Sequence, residues 1–73
     1  LIMQRTITMH TVDFEVEFDE AGEVDALYIG AVEVTEVISD ITKSAIRSTV
    51  ERNAARWFDE YRAEMAGEMR MVA

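Results

Sequence analysis

The sequence predicts an α+β fold, an N-terminal antiparallel β-hairpin packed against one long C-terminal α-helix (ββα), and three features carry that reading. Residues Val12 to Phe18 alternate apolar and acidic side chains at a strict period of two, the mark of a strand buried on one face. Asp19-Glu20-Ala21-Gly22 follows directly, with Asp opening a type I turn and Gly in the left-handed position after it. From Ile46 to Met65, apolar residues recur at steps of three and four, which gathers them on one helical stripe. The expected boundaries are strands over about 5–18 and 24–34 and a helix over about 40–66, in a single domain.

In the first strand, Val12, Phe14, Val16 and Phe18 turn inward, and Asp13, Glu15 and Glu17 outward. A three-residue loop pairs Asp19 with Glu23, and hence Phe18 with Val24, Val16 with Ala26 and Phe14 with Tyr28. That register keeps inward parity across the turn, so hydrophobic pattern and turn chemistry agree. It also sets Asp25 opposite Glu17, a like-charge pair that costs stability. The second strand then turns Val24, Ala26, Tyr28, Gly30, Val32 and Val34 inward. Before Thr11 the parity of the first strand changes, which calls for a bulge near His10 or for an apolar cluster on the second face. The cluster reading groups Ile7, Met9, Leu27, Ile29 and Ala31 as a self-association patch.

Thr35, Ser39 and Asp40 are all good helix N-caps, so a short turn over Glu36–Ser39 precedes a helix that starts after Ser39 or Asp40. Its stripe is Ile46, Val50, Ala54, Trp57, Tyr61 and Met65, flanked by Phe58, and Gly67 suits a C-cap. Arg47–Glu51, Arg56–Glu60 and Asp59–Arg62 are spaced as surface ion pairs. A helix of about 26 residues spans roughly 39 Å, and a strand of about 13 residues spans roughly 43 Å. The two lengths match.

Seven Lys and Arg against fifteen Asp and Glu give a net charge of −8. That balance argues against direct nucleic-acid binding, in which cations meet phosphates, and against anionic membranes. Apolar runs fall short of a membrane span, and no basic segment followed by a long apolar stretch opens the chain as a secretion signal does. A cytoplasmic protein is the expectation. A chain of 73 residues without Cys has only a small core and no disulfide to support it, so a homodimer or another partner is expected.

The charge is concentrated. Asp13 to Asp40 holds ten acidic residues and no Lys or Arg, whereas Ile41 to Ala73 is close to neutral. Asp13, Glu15, Glu17, Asp19, Glu20, Glu23 and Asp25 form the candidate docking face for a protein with a basic surface, including one that otherwise holds nucleic acid. Carboxylates at every second strand position sit about 6.6–6.8 Å apart, a regular array that mimics a row of phosphates. The alternative is a ladder that only keeps the protein soluble and its strands from aggregating.

Catalytic chemistry has little to work with. His10 is the only histidine and Cys is absent, so neither a hydrolytic triad nor a usual zinc site can be assembled within one chain. Asp19-Glu20-Ala21-Gly22 lacks the ligand spacing of a calcium loop, and Glu60, Glu64 and Glu68 read as a solvated helix face. No phosphate-binding glycine loop or nucleophile elbow is present. The expectation is a non-enzymatic module with no cofactor and no metal, with a self-associating structural or assembly component as the rival. From Leu27 the chain reads Leu-Tyr-Ile-Gly-Ala-Val-Glu-Val-Thr-Glu-Val-Ile-Ser-Asp. This strand, the Gly-x-Val-x-Val-Thr that ends it and the capped helix after it resemble short acidic accessory proteins encoded by bacteriophages. The resemblance implies a viral protein that binds, and often inhibits, a factor in the host cytoplasm. It assigns no functional residues.

Overall fold

The computed structural model describes the backbone of residues 1–72 and the side chains of residues 1–66. Four strands, β1 (Ile2–Met9), β2 (Val12–Asp19), β3 (Val24–Ile29) and β4 (Val32–Glu33), form one antiparallel sheet in the order β1-β2-β3-β4. One helix, α1 (Asp40–Val72), follows. The α+β class is as expected, with four strands in place of two.

The expected strand over 5–18 is two strands. The chain reverses at His10 and Thr11, both with positive φ (53° and 63°), as the central pair of a type I′ turn requires. Met9 therefore pairs with Val12, Ile7 with Phe14 and Met3 with Phe18. This reversal is the cause of the parity break at Thr11. A single long strand would leave Met3, Ile7 and Met9 on the solvent face, whereas the turn brings them to the side of Phe14 and Phe18. The strand over 24–34 also folds back, at Gly30 (φ 60°) and Ala31, and Ile29 pairs with Val32.

The loop between β2 and β3 is as the sequence predicts. Asp19 and Glu23 are bonded through Asp19 N–H and Glu23 C=O at 3.0 Å, Gly22 N–H reaches Asp19 C=O at 3.0 Å, and Phe18 pairs with Val24. The Asp19 carboxylate also accepts hydrogen bonds from the N–H groups of Ala21 and Glu23, each at 3.0 Å. Gly22 has φ 84°, and a Cβ there would lie 3.4 Å from Glu51 Cα of the helix. One residue later the expected register fails. Asp25 is an extra residue, so Glu17 pairs with Ala26, Val16 with Leu27 and Glu15 with Tyr28. The bulge exchanges Ala26 and Tyr28 for Leu27 on the inner face. Burying a leucine side chain is worth about 1.5–3 kcal/mol, and the Tyr28 hydroxyl, which needs a partner when buried, is left on the open face while Ala26 stays buried.

The inner face of the sheet and α1 enclose one core: Ile7, Phe14, Val16, Phe18, Leu27 and Val34 meet Ile46, Val50, Ala54, Trp57 and Phe58. Phe18 anchors it, with its ring 5.5 Å from Trp57 and edge-on to Phe58 at 5.7 Å. Ser39 caps the helix by accepting the Thr42 N–H at 3.2 Å. The helix passes the β2–β3 loop at Val50–Ala54 and reaches β1 at Trp57, where the Arg5 guanidinium lies 4.6 Å over the indole. Gly67 does not end it, since the helical backbone continues to Val72. One interior Gly costs only about 1 kcal/mol, and no Pro follows. At 33 residues the helix is about 50 Å long, against about 27 Å for an eight-residue strand, so the expected match in length does not hold.

Candidate functional site

The face of the sheet turned away from α1 is uncovered and polar. Alternation along β2 places Asp13, Glu15 and Glu17 there, each in a central strand flanked on both sides by hydrogen-bonded neighbours. Thr6 lies across from Glu15 and Thr8 across from Asp13. Thr6 Oγ1 donates to the Glu15 carboxylate at 2.9 and 3.0 Å, and Thr8 Oγ1 donates to Asp13 Oδ1 at 2.7 Å. These bonds hold two of the three acids in fixed positions. On the other side Tyr28 lies opposite both Glu15 and Glu33, so one row across the sheet reads Thr6, Glu15, Tyr28, Glu33.

The electrostatics of that row are visible at Tyr28. Its phenol is pushed above its ordinary value of 10.0, first by the Glu17 carboxylate, then by partial burial and by Glu33 and Asp25. Among the described residues no cation stands on this face. Arg5, the only Lys or Arg in the strands, is on the helix side, over Trp57 and 3.8 Å from Glu60. Two unit charges about 6.7 Å apart along a strand repel by about 0.6 kcal/mol in water, and nothing on the face neutralises them.

The seven acids expected to act together divide into groups. Asp13, Glu15 and Glu17 share the open face. Asp19 is committed to its turn, and Glu20 reaches the helix, where Arg62 Nη2 meets it at 2.6 Å. Glu23 lies beside Arg47 and Glu51 on the helix side of the loop. Asp25 sits at the bulge, close enough to act on Tyr28 but no longer opposite Glu17. Tyr28, Glu33, Thr6 and Thr8 were missing from the expected site. Alternation in the sequence points Tyr28 inward, and the bulge turns it out.

The apolar patch expected on this face does not form. Ile7 is 8% exposed and Leu27 0%, both in the core under the helix, and Met9 is packed against that core. Ile29 and Ala31 are exposed at the β3–β4 turn. The turn at His10–Thr11 and the bulge at Asp25 each reverse the parity on which the patch depended. On the helix, Arg56–Glu60 (4.0 Å) and Asp59–Arg62 (3.3 Å) pair as expected. Glu60 is thus engaged by Arg56 and Arg5, the Glu68 side chain lies outside the described residues, and no group of three metal-ligating side chains occurs among the described residues. No described helix is long and apolar enough to cross a membrane. Compared with protein-family models, curated proteins and solved structures, the chain matches none.

Proposed function

We propose that this chain is a small, non-enzymatic protein-binding module that docks the open face of its sheet on a basic protein surface, of the kind that otherwise holds nucleic acid, and blocks it. The reading is supported above all by one observation: Asp13, Glu15 and Glu17 stand in a row on a central strand, with Tyr28 and Glu33 beside them and no cation on the face among the described residues. Lys and Arg side chains of a partner relieve the repulsion within the row, and the long-range field of the acidic face speeds encounter. Tyr28, half-buried among carboxylates, supplies an aromatic contact at the centre of the patch. Such a module acts in the cytoplasm, that of the host if the chain is phage-encoded.

The test is Glu15→Lys with Glu17→Lys, two outward positions that leave the core untouched. Wild type and variant, matched by circular dichroism, serve as baits at low and high salt. The expected result is a set of basic proteins held by wild type at low salt, released by high salt and lost with the variant. Capture of the same proteins by both baits, or of none by wild type, contradicts the proposal.

A further inference from the structure

We infer that two copies of this chain join edge to edge through β1, forming one continuous eight-stranded sheet with the two-fold axis at Thr6. β1 is one of the two edge strands of the sheet, with a neighbour on one side only, and the other, β4, is just two residues long. It runs for eight residues in unbroken register with β2, without a Pro or a bulge, two of the devices that protect a long edge, and its one inward charge, Arg5, is already engaged by Trp57 and Glu60. Met9 and Val12 flank a two-residue turn and so form a hydrogen-bonded pair. Alternation from that pair turns the N–H and C=O groups of Thr8, Thr6, Gln4 and Ile2 outward, free to bond another strand.

Charge selects a second copy as the occupant. At a net charge of −8, most approaches between two copies are repulsive. β1 is the only strand without a carboxylate: β2, β3 and β4 each carry at least one. Its one charge is Arg5. Antiparallel pairing about Thr6 places Thr6 against its own equivalent, Gln4 against Thr8 and Arg5 against Ile7 of the second copy. Thr–Thr pairs are favourable across strands, and the outward groups of all three polar residues meet partners. An axis at Arg5 instead would oppose two guanidinium groups. In the Thr6 register the two β2 ladders stand three strand spacings apart, about 14 Å, beyond the screening length of about 8 Å at physiological salt.

The helix supplies a second, independent feature. Its apolar stripe is buried through Trp57 and Phe58, but Tyr61 and Met65 on the same stripe are 38% and 42% exposed. Tyr61 lies beside Leu1–Gln4 at the start of the edge strand, and Met65 follows one helical turn further on. A second β1 docked on that edge extends the inner face beneath Tyr61 and Met65, and the two-fold axis repeats the cover on the other side. The open acidic faces of the two copies then lie side by side, and neither Glu15 nor Glu17 takes part in the joint.

Because the chain has no Cys, one introduced thiol reports the register. Thr6→Cys places two thiols at the axis within disulfide reach, whereas Thr8→Cys leaves them four residues out of register, about 13 Å apart along the strands. The expected result is rapid oxidation of Thr6→Cys to a covalent dimer, with Thr8→Cys staying reduced at the same concentration. In sedimentation equilibrium, wild type and the Glu15→Lys/Glu17→Lys variant have twice the 8.3 kDa chain mass. Thr6→Pro, which removes an outward N–H, and Met65→Glu, at an exposed helix position, revert to monomer. If Thr6→Pro does not fold, Met65→Glu with a wild-type circular dichroism spectrum decides. A monomeric wild type at every concentration overturns the inference. So does a dimer indifferent to Met65→Glu, or equal cross-linking at positions 6 and 8.

Discussion

Thr11→Gly distinguishes the turn at His10–Thr11 from a continuous first strand by the sign of its effect. A residue with a side chain in the left-handed region costs about 1–2 kcal/mol, and a β-branched residue is among the worst occupants. Thr11 sits there at φ 63°, with its hydroxyl bonded to the His10 carbonyl at 2.6 Å in an exposed position. Glycine removes the steric cost and loses about 0.5–1 kcal/mol of backbone entropy on folding. The net gain is therefore about 0.5–1 kcal/mol, and at about 4–8 °C per kcal/mol for a domain of this size Tm rises by about 2–8 °C. In an uninterrupted strand the same glycine loses about 0.5–1 kcal/mol and Tm falls. Adding His10→Asn raises Tm further, because Asn-Gly is the preferred pair of a type I′ turn. Thermal unfolding followed by far-ultraviolet circular dichroism reads the sign. A fall in Tm refutes the reversal, and with it the placement of Ile7 and Met9 under the helix.

Two further predictions concern single side chains. Asp19→Ala removes the acceptor for the Ala21 and Glu23 N–H groups and lowers stability by about 1–2 kcal/mol. A denaturant midpoint unchanged from wild type would remove the carboxylate from the turn. At Tyr28 the folded protein favours the neutral phenol, because Glu17 raises its pKa above the ordinary value. Its contribution to stability is thus intact below pH 10 and lost as pH rises through the folded pKa. In a Tyr61→Phe background, ultraviolet titration should give a midpoint above that of a free phenol, and Glu17→Gln should lower it. An unmoved midpoint separates Tyr28 from the ladder.

The features legible in the sequence are those written in local chemistry. Alternation from Val12 to Phe18, the Asp-Glu-Ala-Gly turn, the Ser39 cap and the buried part of the helical stripe each rest on neighbours in the chain. The first hairpin is not written that way. His10-Thr11 contains no Gly, Asn, Asp or Pro to signal a turn, and its only trace is the change of parity at Ile7 and Met9. The bulge at Asp25 is decided by tertiary packing, through the gain from burying Leu27 against Val16. Both matter to the candidate site. Asp13, Glu15 and Glu17 follow from alternation alone. Thr6 and Thr8 join them through the turn at His10–Thr11, Tyr28 through the bulge, and Glu33 through the reversal at Gly30–Ala31.

The most direct test of the acidic face is carboxyl footprinting of the chain alone and with the basic protein it captures, read residue by residue by mass spectrometry. The account predicts that Asp13, Glu15, Glu17 and Glu33 are protected in the complex, while the exposed helix acids Asp59 and Glu64 label as before. Protection of Asp59 and Glu64 with an unchanged ladder would contradict it and move the docking surface to the helix.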